Sequence, residues 1–338
     1  MNYKKINRAK IIHISLSIAI GVLIAWFLLS KIELKDIPKA IASIPVYGLV
    51  IAFCLYTTSV FFKAIRFKII LRNGISFWQI SKIVSLYMFF ANVLPMRAGE
   101  LSYMYLLKKQ ANTPGTKSFA SLITGAIADA FIVFIAMIFV AWHLRYEIIN
   151  RSYEISVSDL FSSLFQKLIN SKLLMIIIIL ALTLIISVIL FKLKSYGQKL
   201  SKLLLLTKEK IIEIFKELSY ISFDLRFLGI VIFSILIILL RFGTQWVIVR
   251  SMNLEINIWQ FLFAILFGVL FSLLPIHGPA GFGTVEAPYV LALTYLNVPN
   301  KDAIISGFSL HIIIMLFCII LGIYGAVGLW AYGLKIKD

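Results

Sequence analysis

The sequence predicts an all-α polytopic membrane protein: six full spans and two re-entrant helical hairpins entering from opposite faces, arranged as an inverted-topology repeat. Three observations predict it. The 338 residues are 61% hydrophobic and 14% charged, with mean hydropathy +0.98, whereas soluble domains run near about 45–50% apolar and about 25% charged. Six apolar runs approach or exceed the roughly 20 residues that a helix needs to cross a bilayer. Two further runs are too short to cross, and both end in Leu-Pro.

Residues 11–30 follow a basic tail, as a signal peptide would. Their apolar run exceeds the about 7–15 residues of a signal core, and no small-x-small cleavage site follows, so they read as a retained first span. The other five full spans are 44–65, 118–142, 171–191, 227–249 and 303–332. Ile83–Leu94 reaches only about 18 Å at the helical rise, and Phe261–Leu274 only about 21 Å. No stretch is long and polar enough for a separate soluble domain.

Charge sets the orientation. Lys4, Lys5, Arg8 and Lys10 place the N-terminus in the cytoplasm. The loop after the first span mixes Lys31, Lys35 and Lys39 with Glu33 and Asp36, which suits the outside, and Lys63, Arg66, Lys68 and Arg72 return inside. If 79–94 crossed alone, the lysine-rich 192–224 segment would fall outside, against the positive-inside pattern. A dip and return removes the conflict. The stretch 258–274 must likewise enter and return from outside, which leaves Lys335 and Lys337 cytoplasmic.

The halves then match with opposite sense. Residues 1–142 give two spans, a hairpin at about 79–108 and a span; 143–170 form an outer connecting segment; 171–338 give two spans, a hairpin at about 258–296 and a span. "FFANVLPMRAGE" parallels "LFSLLPIHGPAGFGTVE": an apolar run, Leu-Pro, glycine, then Glu. Inverted repeats place broken helices and the substrate site near the midplane.

Charged residues at that depth are the candidates, since each costs at least about 2.5–3.5 kcal/mol and marks a pathway. Arg97 and Glu100 follow the first hairpin tip. In the second, Gly281 and Gly283 permit an unwound tip with free amides, beside His277 and Glu286. Glu286 reads either as a helix cap or as a site acid. Asp129, mid-span, is either functional or a structural hydrogen-bond partner. Arg241 is expected to pair with an intramembrane acid, with Gln245 one turn on and on the same face. Arg66 either snorkels to the cytoplasmic surface or belongs to the site. His13 and His311 stand alone in apolar runs and read as packed helix residues.

Several classes are excluded. The net charge of +18 lies in loops, as orientation signals do, so no nucleic-acid partner is expected. No paired Cys or His motif suggests a metal, Cys54 and Cys318 form no CxxC, and no phosphate-binding lysine motif follows the glycines. No cofactor is expected. The basic segment 199–218 reads as an interfacial amphipathic helix, and 145–168 as its outer counterpart.

Four blocks carry a family resemblance. "NVLPMRAGELSYMYLLKK" resembles the N-x-x-P-x-R-x-G-E block of the lysylphosphatidylglycerol synthase transmembrane-region family, also called flippase-like, which includes the lipid-flipping half of the multiple peptide resistance factor. "AIRFKIILRNG" resembles its arginine-bearing second span, "SLITGAIADAF" its carboxylate-bearing span, and "PAGFGTVEAPYVLAL" its last glycine-Glu block. They stand in family order. The resemblance adds Asn92 to the candidate site. The chain departs at Tyr103, where the family often has Arg, at Gly125 and Ala126, where it often has a charged pair, and at Ala280, a family glycine.

The resemblance implies a lipid transporter of a bacterial or archaeal inner membrane, moving a lipid with an anionic or zwitterionic headgroup, and not an enzyme. Arg97 and Arg241 would meet the phosphate; Glu100, Glu286 and Asp129 would balance charge or bind an amine or proton. The aminoacyl-transferring domain is missing from these residues, so lysine transfer is not expected. The partners are the membrane lipid or lipid-linked substrate, with a second copy of the chain or a lipid-synthesis enzyme left open. The alternatives are a membrane enzyme acting on a lipid-linked phosphate or sugar, and a scaffold for lipid synthesis.

Overall fold

The computed structural model describes residues 19, 21–72, 74–94, 99–145, 225–272 and 279–335, which are helices and short connections without a strand. Contacts divide the chain into one unit of Met1–Trp142 with Glu217–Asp338 and another of His143–Lys216; the site lies in the first. The expected span 171–191, the segment 199–218, nearly all of 145–168, Arg97 and His277 lie outside the described residues.

In chain order the helices are α1 (21–29), α2 (Asp36–Ala42), α3 (Val46–Leu71), α4 (Phe77–Val93), α5 (Gly99–Ala111), α6 (Gly115–His143), α7 (Leu225–Arg250), α8 (Ile258–Phe271), α9 (Glu286–Tyr295) and α10 (Asn300–Lys335), with a 3-10 turn at Pro279–Gly281. Four of them, α3, α6, α7 and α10, are long and apolar enough to cross a membrane. The helix α3 runs six residues past the expected end at 65, through Arg66, and stops at Arg72 in the left-handed region. The charge that resembles a loop signal is therefore inside the helix.

Each short apolar stretch forms the first arm of a helical hairpin: α4 packs on α5, and α8 on α9. At about 1.5 Å per residue, α4 and α8 reach only about 25 and 21 Å. The two hairpins are fastened alike. Ser76 caps α4 by accepting from the Gln79 amide at 3.2 Å; Asn257 and Gln260 form a reciprocal capping box on α8. Gln79 Nε2 then donates to the Gln110 carbonyl at 2.6 Å, and Gln260 Nε2 to the Leu296 carbonyl at 3.0 Å. Each glutamine ties the start of the first arm to the end of the second, or just beyond it. The sequence carries this as "SFWQI" against "NIWQF".

The neighbours of α3 along α7 run in opposite order: Gly48 faces Ser251, Leu55 faces Gly243, and Ile69 faces Gly229. The two are antiparallel, so the hairpin that follows α3 and the hairpin that follows α7 enter from opposite ends of the bundle. Helix α10 supports both. Cβ atoms built on Gly322, Gly325 and Gly328 would lie 2.8, 2.6 and 2.8 Å from Phe89, the Lys82 carbonyl and the Lys82 side chain, so three glycines at helical spacing let α4 sit backbone-close. Further up, Gly307 admits Tyr289 of α9. The end of α4 touches the Pro279–Gly281 turn: the two hairpins meet.

The polarity is that of a membrane protein. The outer faces of α6 and α10 carry Ile127, Phe131, Phe134, Ile138, Leu316, Ile320, Ile323 and Trp330, all exposed. Buried interior positions include Ser59, Ser81, Ser85, Ser118, Ser121, Ser234 and Thr244, the small hydroxyls that let membrane helices approach and hydrogen-bond.

Candidate functional site

Where the end of α4 meets the Pro279–Gly281 turn, the two hairpins, α7 and α10 enclose a cavity of about 380 Å³. Asn92 and Glu100 line it from the first hairpin, Gly281, Thr284 and Glu286 from the second, Arg241 and Gln245 from α7, and His311 from α10. Six expected residues thus converge: Asn92, Glu100, Arg241, Gln245, Gly281 and Glu286. Glu100 stands in the first turn of α5, where the helix dipole favours an anion.

The second tip is only partly as expected. Gly281 and Gly283 have φ of +81° and +80°, which glycine adopts at no steric cost. Gly283 also has no room for a Cβ, which would fall 2.1 Å from the Gly21 carbonyl of α1. Its amide is not free, however: it donates to Glu286 Oε2 at 2.8 Å. Glu286 is fully buried, and its Oε1 lies 2.6 Å from His311 Nδ1. The imidazole stacks on Phe282, with centroids 4.5 Å apart. So Glu286 both ties its own turn and orients a histidine at the cavity wall. In the sequence His311 reads as a lone helix residue; the structure makes it part of the site. The only signal lies in its spacing from Gly307, one turn back on the same face.

Arg241 does not pair as expected: it has no carboxylate partner among the described residues, and Asp129 goes elsewhere. Arg66, buried to 1% exposure, grips Asp129 with both terminal nitrogens, Nη1 on Oδ1 and Nη2 on Oδ2, the latter at 3.1 Å. Nη1 also donates to Ser234 Oγ of α7 at 2.7 Å. Arg66 therefore does not snorkel, and neither it nor Asp129 lines the cavity. The pair ties α3, α6 and α7 together. Gly125 makes room for it, since a Cβ there would come within 3.0 Å of Arg66 Nη2.

One further interior cation reads as a loop charge in the sequence. Lys63, one turn before Arg66, donates from Nζ to Met88 Sδ at 3.3 Å and lies 5.4 Å from the Tyr87 ring centre. Tyr103, fully buried, packs against Phe67 at 4.8 Å and Tyr87 at 5.3 Å and shares a hydrogen bond with Ser121. Two of the family departures, Tyr103 and Gly125, thus lie around one stretch of α3. Among the described residues no three His, Cys, Asp or Glu side chains gather as a metal site.

A profile of the family described as lysylphosphatidylglycerol synthase TM region matches residues 14–322. No curated protein matches the chain.

Proposed function

Since the chain belongs to the lysylphosphatidylglycerol synthase transmembrane-region family, we propose that it is a lipid flippase, moving a lipid with an anionic or zwitterionic headgroup between leaflets. The headgroup occupies the cavity between the hairpin tips while the acyl chains stay in lipid. One observation carries this reading. The cavity holds Arg241, without a carboxylate partner among the described residues, next to the amides Asn92 and Gln245. A guanidinium that no carboxylate holds directly keeps its N–H donors for a phosphate, which it binds through paired N–H bonds. A volume of about 380 Å³ suits a headgroup and not a whole lipid.

In this reading the two hairpins are re-entrant, dipping from the cytoplasmic and outer faces of a cell membrane, with both termini cytoplasmic. The halves 1–142 and 171–338 are inverted repeats, a reading supported by the matching glutamine ties at Gln79 and Gln260. Non-helical backbone at membrane depth is tolerated where it lines a cavity, as the turn at Ala280 and Gly281 does here. The protein is a transporter and not an enzyme.

Translocation of headgroup-labelled lipids in proteoliposomes tests the reading. Wild type should move one headgroup class, and Arg241→Ala should lose that activity at equal incorporation. Equal flipping by the variant would remove the cavity from the mechanism.

A further inference from the structure

The Glu286–His311 pair is more than the flippase reading requires. Glu286 is fully buried and both its oxygens are occupied, Oε2 by the Gly283 amide at 2.8 Å and Oε1 by His311 Nδ1 at 2.6 Å. With Glu286 ionised it can only accept, so Nδ1 is the nitrogen that carries the hydrogen. The other nitrogen, Nε2, lies on the Gly281 side of the ring, 3.8 Å from where a Cβ would stand. It has no protein partner among the described residues. His311 lines the cavity and is 11% exposed. A neutral ring offers a lone pair there; a protonated ring offers an N–H donor and a positive charge.

From this geometry we infer that the cavity takes a phosphate-ester anion together with one proton, held on His311 Nε2. The inference rests on the flippase reading and names its substrate as an anionic lipid moved by symport. The charges that face the imidazole are Glu286 from α9 and, across the cavity, Arg241 from α7 and Glu100 from α5; the Tyr289 hydroxyl is occupied by Ser306. With a neutral imidazole, the hydrogen-bonded Glu286 still adds a net negative charge to the wall and opposes an incoming phosphate. When Nε2 takes a proton from the bulk solvent pool, the pair becomes neutral overall and gains an N–H donor for the anion. One negative headgroup and one proton then move as an uncharged unit. An outside-acid gradient would therefore drive the lipid from the outer to the inner leaflet.

The test is calorimetry on the full chain in detergent micelles. Dihexanoyl-phosphatidylglycerol is titrated in two buffers of different ionisation enthalpy, so that the difference reports protons bound per lipid. Wild type should take up close to one proton at alkaline pH, and its affinity should fall about tenfold per pH unit there, as one linked proton requires. His311→Gln should bind without proton uptake and with a flat pH dependence. Lipid binding by wild type with no proton uptake overturns the inference, as does no binding at any pH; neither result needs the variant to fold. Glycerophosphoglycerol, the same headgroup without chains, runs in parallel. If it binds with the same uptake, the phosphodiester and not the chains is what the cavity reads, and the His311 assignment stands. The flippase reading alone falls if lipid binding takes up a proton but vesicles show no translocation under either pH gradient.

Discussion

Arg66 and Asp129 face each other fork to fork, two guanidinium nitrogens on two carboxylate oxygens, on helices that are separated by the whole first hairpin. The pair is a joint, since Ser234 adds α7 to it. Removing one partner leaves the other charge buried alone, which costs about 3–5 kcal/mol. Asp129→Asn should lower unfolding stability in micelles by about that much. The apolar double variant Arg66→Met, Asp129→Leu should recover a large part of the loss. A single variant as stable as wild type would show that the pair holds nothing.

Arg241 should behave in the opposite way, because it lines the cavity and ties no helices among the described residues. Arg241→Gln should leave the melting curve in place. It should weaken anionic-lipid binding by about 10- to 150-fold, the range that about 1.5–3 kcal/mol for a charged hydrogen bond implies. A large stability loss with unchanged binding would make Arg241 the structural cation and leave the cavity without its anion partner.

The glycine track on α10 tolerates no side chain. At Gly325 a Cβ would fall 2.6 Å from the Lys82 carbonyl, which is backbone and cannot step aside. Gly325→Val should detach the first hairpin, seen as fast amide exchange over residues 77–111, while the α3–α7 pair stays protected. Uniform protection across α4 and α5 would contradict this packing.

The glutamine ties predict paired phenotypes. Gln79→Ala and Gln260→Ala should each cost about 1 kcal/mol, as lost hydrogen bonds do. Each should loosen only the base of its own hairpin in cysteine cross-linking. If either change loosened both hairpins, the two ties would not be independent.

At the N-terminal end of α10, Lys301 donates to Asp36 at 2.9 Å, and this hydrogen bond holds the Asp36 carboxyl below its ordinary 3.8. A lowered carboxylate pKa contributes stability above the unfolded value. That contribution fades as pH falls through the folded one. Asp36→Asn should therefore leave melting unchanged at acid pH below that value, with any small difference confined to higher pH, and salt should screen it. A difference that grew on acidification would contradict the assignment.

Much of the architecture is legible in the sequence because membrane crossing is a length problem. Runs such as 118–142 and 303–332 announce themselves, and two runs too short to cross, each ending in Leu-Pro, become the first arms of helical hairpins. Charge balance is less legible. Arg66 and Lys63 look like a cytoplasmic loop because a sequence shows a charge but not its partner, and Asp129 stands more than sixty residues away. For the same reason the sequence suggests for Arg241 an acid that the described residues do not supply. His311 looks unremarked among its apolar neighbours because its meaning comes from Glu286, 25 positions earlier, and from the fold that brings α9 against α10. The "WQ" echo between the hairpins is in plain view, but it reads as chance until both side chains are seen to close their hairpins.

The glycine track has a consequence for how the protein is made. Helix α10 is synthesised after both hairpins, yet it is the surface on which both of them rest. The first hairpin leaves the ribosome with most of the chain still to come, and its resting surface does not yet exist. Until α10 is made, α4 lacks the backbone-close partner that Gly322, Gly325 and Gly328 provide. A chain stopped before Gly322 should therefore leave the first hairpin without its seat, so completion of this fold turns on a single late event, the arrival of α10.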